Sequence, residues 1–254
     1  MNITQIRNAT IVVEYANKKF LIDPMLAEKG TYPAFENTIR QDWYNPTVSL
    51  PISIDSLLEG VDAVIVTHLH IDHFDDVAKN VLPKDIKMFV QNEADAEEVK
   101  TFGFKNVEVL QQDTVFEGIQ LAKTKGEHGR GEELLSFIGQ VCGVVFKHPS
   151  EKVLYVAGDT VWYDAIEEEI QTHQPEIIVV NGGDNQVLEL GSLIMSKEDI
   201  YEVHKAAPNA HIISVHMEAV NHWTLSREEL RNFGKEKEFS SKLLVPEDGE
   251  SYSF

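Results

Sequence analysis

Apolar residues along this chain fall in short, β-branched runs rather than long helical stripes. Ile11-Val12-Val13, Phe20-Leu21-Ile22, Ala63-Val64-Ile65-Val66, Ile177-Ile178-Val179-Val180 and Ile212-Ile213-Ser214-Val215 are the clearest. Continuous runs of this kind suit strands covered on both faces. Two or three strands are predicted over residues 3–23, with Asn17 at a turn. Further strands are predicted over 86–90, 107–110, 119–124, 137–146, 153–157 and 243–245, with 137–146 and 153–157 paired across Pro149-Ser150. Helices are predicted over 53–58 and 74–81, the second stopping before Pro83. Asn92 followed by Asp95 marks another helix start, with Gly103 at its end. Ser196 with Asp199, and Ser226 with Glu229, have the capping-box spacing. Strands precede helices repeatedly, so the reading is one domain over 1–254 of α/β (α+β) class.

Residues 25–52 break this pattern. Tyr32, Pro33, Phe35, Trp43, Tyr44, Pro46 and Pro51 stand there without periodicity. A loop this long inside a domain is usually functional, and its aromatic content argues against disorder. A lid or an oligomer contact beside the functional site is the expectation, against the plainer reading of a loop packed on the core.

Composition changes this picture little. The 43% hydrophobic and 25% charged content is ordinary for a soluble protein. No apolar run reaches the ~18 residues of a membrane span, and the N-terminus lacks a basic stretch, so no membrane partner and a cytoplasmic location are expected. The formal charge of −20 argues against a nucleic-acid partner, whose phosphates are held by Lys and Arg. A small-molecule substrate is compatible with it, and so is a homo-oligomer. The single cysteine, Cys142, lies in an apolar run and reads as an inert buried thiol.

The chemistry concentrates in Val66-Thr67-His68-Leu69-His70-Ile71-Asp72-His73, directly after an apolar run. Imidazoles and a carboxylate at this density supply the donors a first-row metal uses. In an extended chain His68 and His70 point to one side, and Asp72 and His73 beyond the turn can face a second metal. His128 stands among Gly126, Gly129 and Gly131, where backbone and ligand can approach closely.

Thr-His-x-His-x-Asp-His after an apolar strand resembles the signature of the metallo-β-lactamase fold superfamily. The resemblance implies a four-layer αββα sandwich. It also implies that His68 and His70 bind one metal, Asp72 and His73 the other, with His128 as third ligand of the first. Asp159, after the run 153–157, then matches the bridging carboxylate. The last ligand comes from residues 216–222: His216 is favoured, with His222 the alternative or a catalytic proton donor. Asn8-Ala9-Thr10 and Leu21-Ile22-Asp23-Pro24 look like the start of the branch containing L-ascorbate-6-phosphate lactonases, which commonly has a histidine near the position of Asn8. Asp23 is a possible acceptor for a ligand histidine or a turn former. Arg130 could hold an anionic substrate group, and Asp184 could face substrate or serve its Gly-rich turn.

Two divalent metals would share and acidify a water, making a bridging hydroxide that attacks an ester-like bond. Lactone, thioester, amide and phosphodiester substrates all fit, and Asp72 doubles as proton acceptor. Zinc suits the histidines, and manganese or iron(II) is also compatible. The alternative function is a metal-dependent small-molecule binding or sensor protein without turnover.

Overall fold

The computed structural model describes residues 1–254. The chain opens with β1 (Asn2–Arg7), β2 (Thr10–Tyr15) and β3 (Lys18–Ile22). Then follow α1 (Ile54–Leu58), β4 (Ala63–Val66), α2 (Asp76–Val81), β5 (Lys87–Val90), α3 (Glu93–Thr101) and β6 (Asn106–Val109). Next come β7 (Thr114–Phe116), β8 (Ile119–Lys125), α4 (Glu132–Ile138), β9 (Cys142–Lys147), β10 (Leu154–Val156), α5 (Asp164–His173) and β11 (Ile177–Asn181). A small hairpin of β12 (Gln186–Val187) and β13 (Gly191–Ser192) precedes α6 (Lys197–Ala206) and β14 (His211–Val215). The chain closes with α7 (Arg227–Glu236), β15 (Leu243–Leu244) and β16 (Ser251–Ser253).

Two seven-stranded sheets result, ordered β16-β1-β2-β3-β4-β5-β6 and β15-β14-β11-β10-β9-β8-β7. The period-two geometry of a strand divides each apolar run between two layers. Ile11, Val13 and Ile65 of the first sheet meet Val144, Phe146, Ile177 and Val179 of the second. The alternate residues face outward. Val64 and Val66 pack with Leu57, Ala78 and Val99 of α1 to α3. Val145, Ile178 and Val180 pack with Ile166, Ile200 and Leu230 of α5 to α7. The layers therefore run helix, sheet, sheet, helix, as the resemblance implied. No helix is long and apolar enough to cross a membrane.

Strands β3 to β6 pair in parallel, as do β10, β11, β14 and β15. Parallel strands deliver their C-terminal ends to one edge of a sheet, where open α/β sheets carry their ligands. Residues 137–146 do not form the single predicted strand. Phe137 and Ile138 finish α4, Gly139 at φ +90° ends it, and β9 begins only at Cys142. Helix α5 was not predicted; its N-cap, Tyr163, makes no side-chain capping bond and so leaves no start signal.

Candidate metal centre

Strand β4 ends at Val66, and the chain then turns sharply. The amides of His73 and Phe74 both donate to the His70 carbonyl, each at 2.9 Å. This turn separates His68 and His70 from Asp72 and His73 along the loop. Asp23, just after β3, braces its start: Oδ1 accepts from the Thr67 amide at 2.7 Å and Oδ2 from the Thr67 hydroxyl at 2.8 Å. Asp75 caps α2 through Oδ1 and accepts the Leu26 and Ala27 amides on Oδ2.

Loops from both sheets bring the predicted ligands together. His128 follows β8, Asp159 follows β10 and His216 follows β14. His68 Nε2 lies 2.9 Å from His70 Nδ1. Asp159 Oδ2 is 3.1 Å from His73 Nε2, 3.4 Å from His128 Nε2 and 3.9 Å from His68 Nε2. Its other oxygen is 3.7 Å from His216 Nε2, which itself lies 3.2 Å from Asp72 Oδ2. Donor atoms fall within 4.8 Å of one another in three sets: His68, His70, His128; His68, His73, Asp159; and Asp72, His73, His216. Asp159 thus stands between a three-histidine group and a group containing Asp72.

The outer nitrogens of these rings are held. His73 Nδ1 is 2.9 Å from Asp23 Oδ2, His128 Nδ1 is 2.9 Å from the Leu193 carbonyl, and His70 Nε2 is 3.0 Å from the Ile138 carbonyl. His68 Nδ1 reaches the Thr67 hydroxyl at 3.2 Å. An acceptor on one ring nitrogen keeps the proton there and leaves the inward nitrogen a free lone pair. His73 Nε2 and His216 Nε2 are buried without any hydrogen-bond partner. Buried polar atoms are rarely left so, and a cation between these nitrogens and the facing carboxylates would satisfy them. The donor set therefore fits divalent metal ions.

Burial alone would push Asp159 upward, but His73, His216 and His128 outweigh it and hold the carboxyl well below its usual range. Asp72 is depressed the same way, against burial, by His73 and His216. Burial favours neutral His73, yet Asp159, Asp23 and Asp72 override it and raise its pKa well above the ordinary value. These carboxylates thus call for positive charge beside His73, which is the charge a cation between the facing groups would supply. Burial brings His128 down to about 4, and burial, aided by His73 and His70, holds His68 well below its ordinary value.

His216 enters the donor cluster and His222 does not. His222 instead lines the adjoining cavity, edge-on to Phe35 with ring centroids 4.8 Å apart. It is buried, its Nδ1 lacks a partner, and desolvation lowers its pKa to about 4. Two other expected substrate contacts lie elsewhere. Arg130 pairs with Asp199 at 2.7 Å, and Asp184 accepts from Ser192, Gln186 and Thr224; neither borders the cavity. The Gly182-Gly183 step packs too closely for a Cβ, at 2.2 Å from Ser214 Oγ and 2.3 Å from the His216 carbonyl. Asp184 thus serves the turn beside His216.

Several asparagines that sequence reading did not place support the cluster. Asn181 Nδ2 donates to Asp159 Oδ1 at 2.5 Å. Asn185 faces His216 Nδ1 at 3.3 Å, and its Oδ1 is otherwise unpartnered. Asn8 donates to the Asp72 carbonyl at 3.0 Å and accepts the His216 amide on its own carbonyl at 2.9 Å. Asn8 therefore ties together the loops that carry Asp72 and His216. The one available signal was positional: Asn181 ends an apolar strand, as Asp159 nearly does.

A cavity of about 650 Å³ opens over the cluster. Phe35, Ile71, Phe137, Val187, Leu190 and Leu193 give it apolar walls, and no lysine or arginine lines it. Glu36 and Glu133 are its charged residues apart from Asp72 and Asp159 and the histidines. Phe35 to Thr38 belong to the irregular segment 25–52, which stands beside the site as one wall.

A family model described as the beta-lactamase superfamily domain matches residues 18–217. The chain is 85% identical to the UPF0173 protein YddR of Bacillus subtilis (strain 168) over 254 residues, covering 100% of both chains. It superposes on the crystal structure of an isothiocyanate hydrolase from Delia radicum gut bacteria with TM-score 0.96 and 44% identity, covering 100% of this chain and 99% of that one. A possible metal-dependent hydrolase from Veillonella parvula DSM 2008 gives TM-score 0.97 at 42% identity, with the same coverage.

Proposed function

The chain belongs to the beta-lactamase superfamily and, within it, to the UPF0173 metal-dependent hydrolases; from that premise we propose that it hydrolyses a small, uncharged, apolar electrophile at a carbonyl-like carbon. The carrying observation is a buried His/Asp cluster at the base of an apolar cavity that no lysine or arginine lines. Anionic phosphodiesters and phosphorylated lactones would enter against the carboxylates of Glu36 and Glu133 with no cationic side chain to receive them. The solved relative described as an isothiocyanate hydrolase makes an isothiocyanate the first substrate to test. Uncharged lactones and esters offer a similar electrophilic carbon.

His68, His70 and His128 would hold one divalent ion and Asp72, His73 and His216 a second, with Asp159 between them; zinc suits this donor set. Ions bound there supply Lewis acidity and lower the pKa of water. The side chains do the rest. Asp72 borders the cavity as a carboxylate and accepts the proton released when water adds to the substrate carbon. His222, kept neutral by burial, offers a ring N–H to the heteroatom on which negative charge develops. The apolar walls exclude bulk water from the remainder of the substrate. For an isothiocyanate, addition of one water across the carbon–nitrogen bond gives a thiocarbamic acid, which divides into an amine and carbonyl sulfide.

The test is a panel of benzyl isothiocyanate, an uncharged δ-lactone and the anionic bis(p-nitrophenyl) phosphate. Turnover of an uncharged member, lost on chelation and in His68→Ala, is expected. Preferential turnover of the phosphodiester would contradict the proposal. Tight binding with no turnover of any member would favour a sensor.

A further inference from the structure

Helix α4 overhangs the cavity as a thin partition. It lies between Gly131 at φ +88° and Gly139 at φ +90°, and a Cβ on either would meet nothing within 4 Å. These glycines are thus required by backbone conformation and not by packing, which is how a hinge is built. Leu134 is the one buried residue of α4, and it joins Leu193 and Ile194, with Ile138, Val187 and Leu190 partly buried around them, in a small cluster apart from the main cores. Beyond the first-turn bond from the Leu135 amide to the Gly131 carbonyl, residues 132–139 are tied to the rest of the chain through the Ile138 carbonyl, 3.0 Å from His70 Nε2. A second, polar hollow bordered by Gln91, Lys123 and Gln140 lies on the other side of α4, with Ser136 and His128 shared between the two. Few buried contacts and space on both faces define an element that opens at low cost.

Phe137 sits on this helix, borders the cavity, and is nevertheless 79% exposed. We infer that Phe137 is a specificity-determining residue: carried on a glycine-hinged cap, it closes over the apolar part of an uncharged substrate and makes the rate depend on that part's bulk. The inference rests on the proposed function for its choice of substrate and on geometry for the subsite. An empty cavity leaves the ring in water, whereas an aryl group beneath it lets both surfaces leave water together. A substrate with only a methyl group gains no such contact.

The experiment compares benzyl with methyl isothiocyanate in the parent, Phe137→Ala and Phe137→Leu. The exposed position of Phe137 makes folding of these variants straightforward. Phe137→Ala is expected to lower kcat/KM for the benzyl substrate about 10-fold through KM, the scale of one partly buried aromatic contact. The methyl substrate should change by less than about 2-fold, and Phe137→Leu should recover most of the benzyl rate. An equal fall for both substrates, or no change for either, would overturn the inference. A second arm needs no turnover: the uncharged fluorophore N-phenyl-1-naphthylamine should bind the parent and bind Phe137→Ala about 10-fold more weakly. Failure to bind the parent, or equal affinity for both proteins, would also overturn it. If the parent hydrolyses no isothiocyanate, that choice of substrate fails and the fluorophore alone decides the role of Phe137.

Discussion

Asp23 joins three parts of the site at one carboxylate: the Thr67 amide, the Thr67 hydroxyl and His73 Nδ1. It does so from a left-handed backbone position at φ 48°, which asparagine also tolerates. Asp23→Asn should keep the turn yet lose the charge that orients and polarises His73. Metal affinity is then expected to fall about 10–100-fold, measured by competition with a chelating dye; unchanged affinity would show that Asp23 only shapes the turn. Cys142 is a second probe at this scale. Burial pushes its thiol up to about 12, so it stays neutral in the fold and ionises near its ordinary value only when unfolded. Its contribution to stability is therefore constant at neutral pH and declines as pH rises above that ordinary value. Iodoacetamide at pH 8.5 should leave the native thiol unmodified and alkylate it fully in denaturant; rapid native labelling would contradict the buried placement. The histidine-rich stretch was legible as a candidate site because dense donors after an apolar strand have few other uses. Asn8, Asn181 and Asn185 were not, since each acts through a contact far along the chain that no spacing announces. Arg130 and Asp184 were left open between substrate and local roles, because a polar residue near glycines does not disclose which way its turn faces.

Asn221 shows how an irregular stretch becomes a wall. Its side-chain oxygen accepts from the Phe35 amide and Asn45 Nδ2, and its nitrogen donates to the Thr38 hydroxyl and the Ile39 carbonyl. Arg40 adds bonds to the Asn221 and Trp223 carbonyls and lies over the Trp223 ring at 4.0 Å. Residues 35–45 are thereby fastened to the loop that carries His216 and His222. Asn221→Ala strands several buried groups and should cost about 3 kcal/mol, read from denaturant unfolding. Limited proteolysis should then cut within residues 25–52; parent-like resistance would argue against the clamp. Elements with strong local signals were legible. The Ser196/Asp199 and Ser226/Glu229 capping boxes are both formed. Ser226→Ala should cost about 1 kcal/mol by the same unfolding measurement, and a loss near zero would mean that packing alone holds α7. Helix α4 was misread because Phe137 and Ile138 add an apolar pair next to the strand that follows, and only the left-handed Gly139 divides them.

At the scale of the molecule, the two sheets each contribute part of one site. The first brings Asp23 and the loop after β4; the second brings His128, Asp159 and His216. Asn8 crosses between them, holding the Asp72 carbonyl and the His216 amide. The covering of both sheet faces was legible because strands buried on both faces must be covered on both faces; the four-layer order came from the family resemblance. The cavity was not, since its walls come from segments 25–52, 132–138 and 185–193, which lie far apart along the chain. The proposed chemistry needs two metal ions at this junction, with Asp159 between them. Metal content per chain, measured in protein purified without added metal, tests it most directly beside Asp159→Ala. Close to two ions in the parent and a clear loss in the variant are expected, with the fold retained by circular dichroism. One ion in the parent, unchanged by the substitution, would contradict it.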